Sequence, residues 1–193
     1  MAVLNLNARH RLTVFWLVLF LLLPGGGTSL FAQTPSKEYQ IKAAFLFNFM
    51  QFVEWPPTVF KNADDPFRIG VLGQDPFNAA LEDTVQGETI SNHKIIVEHS
   101  MQVDDLKNCQ LIFISKSEKK HVTEILSALD DKPVLTVSEI EGFAERGGGI
   151  NFYLEGNKVR FEVNPDAARH DGLKVSSQLL SLGKIIETAK EAK

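Results

Sequence analysis

The sequence predicts an α/β fold with a mainly parallel central sheet of about five to six strands, helices on both faces and a C-terminal antiparallel hairpin at an edge. Between residues 67 and 147, apolar runs typical of buried strands alternate with segments of helical periodicity, and this alternation indicates parallel pairing. Two segments with period-two alternation follow at 147–152 and 160–164, with turn residues between them. A terminal helix over about 175–189 is predicted to close the domain.

Residues 1–32 are predicted to be a secretory signal peptide that is removed. Arg9 and Arg11 make its start basic, residues 12–23 form an almost unbroken apolar run, and Ala32 is a small residue of the kind found before a cleavage site. The apolar run is shorter than the roughly 20 residues that span a bilayer core, so a cleaved signal is favoured over the alternative of an uncleaved membrane anchor. We expect no stable membrane insertion after the signal is removed. Residues 33–193 are predicted to form a single exported domain.

Composition narrows the class of protein further. The formal net charge of −4, spread over a mixed-charge sequence, argues against nucleic acid as a partner because its phosphates would be repelled. Cys109 is the only cysteine, so no intramolecular disulfide can form. It stands at the start of an apolar run, where a cysteine acts either as a small apolar residue or, alternatively, as a reactive thiol.

The first element of the exported domain is a predicted helix over 38–53, capped by Ser36. Its apolar residues form two stripes, and one stripe is enough to pack on a sheet. The second stripe, with Phe47 and Met50, is either covered by the domain itself or contacts another protein or a second copy of the chain. Trp55, just before two prolines, either plugs the core or lines a pocket. We therefore take Phe47, Met50 and Trp55 as the candidate partner interface.

The remaining elements are predicted from their periodicity and from turn residues at their ends. Strands are expected at 67–73, 93–98, 109–115 and 133–137, with helices at 75–85, 117–129 and, briefly, from 138 towards 147.

No constellation of residues points to catalysis. The histidines stand at no metal-ligand spacing with one another or with Cys109. The strand, turn and helix over 67–85 have a single glycine at the turn and no lysine for a phosphate. Ser176 and Ser177 lack the G-x-S-x-G setting of a nucleophilic serine. We expect no catalytic residues, no metal and no cofactor, and the chain is not predicted to be an enzyme.

Polar side chains gather at the hairpin. Because successive side chains of a strand point to opposite faces, Arg160, Glu162 and Asn164 are expected on one side of their strand. Arg160 and Glu162 can simply pair with each other. Together with Lys174 and Ser176, these residues can instead form a small charged pocket for a zwitterionic ligand, and all five are candidate ligand-binding residues.

Eight segments of the chain resemble, in order and spacing, those of the YfiR family. The resemblance covers nearly all of the chain after the predicted signal. The matching segments are Ile41 to Phe49, Phe52 to Pro56, Gly73 to Phe77, Cys109 to Ile114, Val134 to Ser138, Gly147 to Phe152, Arg160 to Asn164 and Gly172 to Leu180.

The resemblance implies a periplasmic regulator. It implies a protein that binds and represses the periplasmic sensor domain of an inner-membrane diguanylate cyclase or sensor kinase, and so lowers cyclic-di-GMP and biofilm formation. The family's namesake carries disulfides, whereas this chain keeps only the position matched by Cys109, which excludes redox sensing by a disulfide within one chain. The alternative function is a periplasmic small-molecule-binding protein or receptor that uses the charged pocket beside the hairpin.

Overall fold

A mixed sheet organises residues 36–188, which are the residues that the computed structural model describes. The predicted signal peptide, residues 1–32, lies outside this part of the chain. Within it, eight strands form the main sheet, and two further short strands, β1 and β9, pair antiparallel with each other. In chain order the strands are β1 (Val53–Glu54), β2 (Phe67–Leu72), β3 (Thr89–Ile90), β4 (His93–Ser100), β5 (Leu111–Ile114), β6 (Leu135–Ser138), β7 (Ile150–Glu155), β8 (Lys158–Val163), β9 (Lys174–Val175) and β10 (Lys184–Ile185).

The order of the main sheet is β10-β8-β7-β6-β5-β2-β4-β3. The central neighbours β4, β2, β5, β6 and β7 run parallel, as the alternation of strands with helices predicts. Strands β7 and β8 form the predicted antiparallel hairpin. The α/β prediction is therefore confirmed. The sheet has more strands than predicted because a two-residue strand lies at each edge, β3 at one and β10 at the other. Strands this short leave no periodic signal in the sequence, so they were not predicted.

Five α-helices of the described residues connect and cover the strands. The longest, α1, begins as predicted after Ser36, whose side chain accepts a hydrogen bond from the Tyr39 backbone N–H at 3.4 Å. A cap of this kind satisfies one of the donors that a helix start leaves free. The helices are α1 (Lys37–Phe52), α2 (Ala80–Val85), α3 (Val122–Ala128), α4 (Pro165–His170) and α5 (Ser177–Leu182).

The predicted terminal helix over 175–189 is wrong. Ser176 caps a shorter helix, α5, which gives way after Leu182 to strand β10. Gly183 explains the change of direction, since a Cβ there would approach a ring carbon of Phe161 to 2.5 Å. Only glycine lets the chain lie this close to β8 and pair with it.

Two other predicted helices are shorter in the structure, and a third is replaced by turns. Asp75 accepts a hydrogen bond from the Phe77 N–H at 2.8 Å, which forms a local turn, so helix α2 begins only at Ala80. The segment predicted as one helix over 117–129 is a 3₁₀ turn followed by α3. Residues 139–148 form turns instead of a helix. In each case local side-chain hydrogen bonds or glycine-containing turns replace the helical turns that apolar periodicity predicted.

Each face of the sheet has its own apolar core. On the first face, Phe49 of α1 lies between the hairpin rings, 5.0 Å from Phe161 and 5.6 Å from Phe152 by ring centroids. On the second face, α3 buries Val122 and Ile125 against the strands. Helix α1 is thus fixed by its aromatic contacts with the hairpin, which sets the position of every other residue on that helix.

Candidate functional site

A buried ion pair joins α1 to the end of β6. Lys42 is 2% exposed, and its ammonium group pairs with Glu38 one turn earlier and with Glu139, whose side chain is 3% exposed. The Tyr39 hydroxyl donates to Glu139 at 2.8 Å, and the Lys116 ammonium lies 3.6 Å from the same carboxylate. Buried charges are costly unless other groups satisfy them, and this cluster supplies those groups.

The fold explains why these distant residues meet. Lys116 and Glu139 directly follow the parallel strands β5 and β6, so both lie at the carboxyl edge of the sheet. Ser138 fixes the turn that delivers Glu139, because its hydroxyl donates to the Ile114 carbonyl at 2.7 Å and accepts from the Ile140 N–H at 3.1 Å. Carboxyl edges of this kind are where open α/β sheets usually bind ligands.

Tyr39 acts as a permanent donor in the cluster. Its burial, then its hydrogen bond to Glu139, raise the pKa of Tyr39 far above the ordinary value of a phenol. The Lys42 ammonium also lies 4.7 Å from the centroid of the Tyr39 ring, within the range of a cation–π contact. The cluster therefore holds one ammonium group with two carboxylates and an aromatic face.

A cavity of about 740 Å³ opens beside this cluster, and we call it the edge cavity. The start of α1, the turn after β6 and the hairpin form its walls. Its charged lining residues are Glu38, Lys42, Lys116, Glu139, Glu141, Glu145, Glu155, Glu162 and Lys184. Its volume is in the range of small-molecule sites.

The five candidate ligand-binding residues do not come together. Among them, only Glu162 lines the edge cavity, where Lys184 donates to it at 3.0 Å. The predicted pairing of Arg160 with Glu162 is replaced by a contact of Arg160 with Glu155 at 3.2 Å.

The other three candidates have structural roles. Asn164 is fully buried, caps α4 through its side-chain oxygen and donates to the Ala144 carbonyl at 2.8 Å. Ser176 caps α5 by accepting from the Leu179 N–H. Lys174 is largely exposed on β9, outside the main sheet, and pairs with Glu54.

The candidate interface residues also differ in their surroundings. Met50 is 1% exposed, so the domain itself covers it and its side chain presents no surface to a partner. Trp55 packs edge-to-face on Phe67 and donates to the Gln110 carbonyl at 3.2 Å, which plugs the amino edge of the sheet. Phe47 is half-buried against the core.

The exposed face of α1 carries no charged side chain between residues 40 and 51. Its exposed members are Gln40, Ile41, Ala44, Asn48 and Gln51. The one lysine in this span, Lys42, is turned inward. Depletion of charge is what distinguishes the centre of a protein interface from ordinary surface. Sequence analysis missed this face because it counted apolar residues and not the absence of charge.

The turn after β2 has no room for a phosphate group. A Cβ at Gly73 would lie 2.3 Å from the Ser117 hydroxyl oxygen, which itself accepts from the Gln74 N–H at 3.0 Å. Ser117 therefore fills the crevice between β2 and β5, where a doubly wound sheet would hold a nucleotide.

Cys109 lies at the opposite, amino edge of the sheet, beside a cavity of about 580 Å³. Its burial, then the negative charge of Glu98 3.7 Å away, raise the pKa of the Cys109 thiol to about 12. Glu98 in turn pairs with Arg68. Such a thiol is almost wholly protonated at neutral pH and is therefore a poor nucleophile.

A third cluster brings together charged residues that are far apart in the sequence. Asp130, Asp131 and His170 place their ligand atoms within 4.8 Å of one another, although His170 lies 40 residues from Asp130. The expectation of no metal site rested on spacing alone and could not find this group. All three residues are exposed, and exposed acidic groups are common without an ion. Nearby, burial raises the pKa of Asp171 to about 7.

No helix within residues 36–188 has the length and apolar character needed to cross a membrane.

Comparison with known proteins gives two findings. The YfiR/HmsC-like family profile matches residues 39–184. The crystal structure of a conserved domain protein from Vibrio cholerae O1 biovar eltor is similar, with a TM-score of 0.52 and 9% sequence identity. That alignment covers 76% of this chain and 59% of the other, so this chain spans about three-fifths of its length. At this identity the similarity shows the fold alone.

We expect Lys42→Met to destabilise the protein by about 3 kcal/mol, because it leaves the Glu139 carboxylate buried without its main partner. Urea denaturation at pH 7 measures the change in the free energy of unfolding. Glu38→Gln is the matched control, since it removes the half-exposed carboxylate and keeps Lys42 paired with Glu139. Equal losses in the two variants would contradict a dominant role of the buried pair.

We expect the Cys109 thiol of the folded protein to resist iodoacetamide at pH 8, because only about 1 in 10⁴ of the thiols is ionised when the pKa is near 12. Mass spectrometry of the alkylated fraction over time measures the rate. The same protein in concentrated urea provides the comparison and should react at least a hundredfold faster. Rapid alkylation of the folded protein would show that the thiol is not held as described.

Proposed function

The chain belongs to the YfiR/HmsC-like family, and from that membership we propose that it binds and represses the periplasmic sensor domain of an inner-membrane diguanylate cyclase. In general terms, the members of this family are periplasmic regulators of diguanylate cyclase signalling and are not enzymes. The proposal adds a direct partner and a direction. Repression of the cyclase lowers cyclic-di-GMP and biofilm formation.

The observation that carries the proposal is the charge-free exposed face of α1. This face extends along three turns of the longest helix in the described part of the chain, and Phe47 flanks it. A partner that covers it has no charge to desolvate, which removes the largest cost of burying a polar surface. The aromatic contacts of Phe49 with the hairpin hold the helix in place before binding, so little order has to be gained on association.

Repression works by population shift. The protein binds the inactive conformation of the sensor domain more tightly than the active one, and its release lets the cyclase return to its active state. To move such an equilibrium from 1:99 to 99:1, the two affinities must differ by about 10⁴-fold.

We expect Ala44→Glu to abolish binding, because it places a charge at the centre of the α1 face without touching the core. Tagged protein is first purified from gently solubilised membranes, and the proteins that come with it are identified by mass spectrometry against an untagged control. The periplasmic domain of the recovered membrane protein is then purified, and its affinity for each variant is measured by calorimetry.

Two further variants complete this test. Phe47→Asp should also abolish binding, provided that circular dichroism shows it folded. Lys120→Glu reverses a charge at an exposed position outside α1, which changes the net charge more than Ala44→Glu does, and should still bind like the wild type. The proposal fails if Ala44→Glu binds within threefold of the wild type, or if no membrane protein is recovered. Recovery of a sensor kinase would keep the mechanism and replace the cyclase as the partner. Self-association lost in Ala44→Glu would assign the face to a second copy of the chain.

A second candidate function is the periplasmic binding of a small molecule. The edge cavity favours it, because its volume of about 740 Å³ lies at the carboxyl edge and its wall includes the buried Glu139 and Lys42. Among the five predicted ligand-binding residues, Glu162 is the one that supports this function from the wall of the cavity.

A further inference from the structure

The charged lining of the edge cavity is unbalanced. Six glutamates and three lysines line it. Each lysine already forms an ion pair with a lining glutamate. Lys42 pairs with Glu38 and Glu139, Lys116 with Glu139, and Lys184 with Glu162. The cavity therefore has an excess of negative charge within low-dielectric walls, which concentrates cations and repels anions.

Two of the six glutamates form no ion pair within the described residues, although Glu145 is near enough to Lys184 to help Glu162 raise the pKa of that ammonium group. Glu141 and Glu145, both exposed at the rim, form no ion pair with any residue between 36 and 188. They follow the turn that delivers Glu139, so three carboxylates of one short segment line the same cavity. Carboxylates that line one cavity favour a bound positive charge, because a cation between them reduces their mutual repulsion.

Asn151, a largely buried residue, adds a hydrogen-bond acceptor to the wall. The residue is 3% exposed, and its amide nitrogen donates to the carbonyls of Ser138, Ile140 and Phe152 at 3.0–3.3 Å. Its side-chain oxygen accepts no hydrogen bond from the described residues, although Asn151 lines the edge cavity. With the nitrogen fixed by three carbonyls, the oxygen is left to accept from a donor in the cavity.

The protein already binds one ammonium group with this chemistry. The Lys42 ammonium is held by two carboxylates and lies over the Tyr39 ring. The cavity lining offers the same kinds of group, with the carboxylates of Glu141 and Glu145 and with Tyr153 and Leu154 as apolar residues.

We propose that the edge cavity binds a small organic ammonium ion, such as a short aliphatic diamine, through the carboxylates of Glu141 and Glu145 and the side-chain oxygen of Asn151. Every free polar group named here is an acceptor, so the ligand must be rich in donors. An anion meets a net negative wall, and the carboxylate of a zwitterion has no unpaired lysine to meet it. This inference rests on the second candidate function and names its ligand class.

Calorimetry with three probes of matched length tests the inference. These are 1,4-diaminobutane, 1,4-butanediol and succinate, which differ in charge and not in size. The diamine should bind with a stoichiometry of one, and the two other probes should not bind. The double variant Glu141→Gln/Glu145→Gln should weaken diamine binding about tenfold, since each rim carboxylate contributes a modest Coulomb attraction. Glu124→Gln, an exposed glutamate of α3 away from the cavity, removes the same kind of charge and should have no effect.

The outcomes separate the ligand class from the function on which it rests. Equal or tighter binding of succinate or butanediol would overturn the ammonium class and leave small-molecule binding intact. Absence of saturable heat with all three probes up to 10 mM would count against both. An unchanged affinity in the double variant, shown folded by circular dichroism, would place the diamine elsewhere. A blocked lysine tripeptide that binds tenfold tighter than the diamine would assign the site to a lysine side chain of a protein partner and overturn a free amine.

Discussion

The buried pair of Lys42 and Glu139 is the constraint on which the functional part of this structure depends. It joins residues 97 positions apart, one on the first helix and one at the carboxyl edge of the sheet. A buried ion pair is weak evidence for added stability, because desolvation offsets most of its attraction. The pair can, however, form in few other orientations of the helix, because both charged groups must stay paired while buried. The pair therefore fixes the rotation of α1 about its own axis, with Lys42 inward and the charge-free side outward.

Two kinds of contact then place α1 in one position. The rings of Phe45 and Phe49 pack on the hairpin, which buries the helix without much directional preference. The ion pair and the Tyr39 hydroxyl add direction at the start of the helix. Lys42 and Glu139 also line the edge cavity, so α1 contributes both to the charge-free outer face and to a wall of the cavity.

Much of the fold could be predicted from the sequence, because apolar periodicity and turn residues are local signals. Strands β2, β5 and β6 and the hairpin are examples. The prediction failed where a distant contact decides the path of the chain, as at Gly183, whose closeness to Phe161 turns a predicted helix into a strand. The site was harder still. Glu162 was found by its alternation, whereas Lys42 and Glu139 belong to two separate predicted helices and meet only when the sheet forms. Asn151 belongs to the predicted hairpin, but sequence spacing does not show that it lines the same cavity as they do.

The central claim is that this protein restrains a diguanylate cyclase through the outer face of α1. The most direct test measures cyclic-di-GMP in cells that lack the protein, and in the same cells with the wild type or Ala44→Glu restored at equal periplasmic levels. The account predicts a rise on deletion, a return to the original level with the wild type and no return with Ala44→Glu. An unchanged cyclic-di-GMP level on deletion, or full restoration by Ala44→Glu, would contradict it.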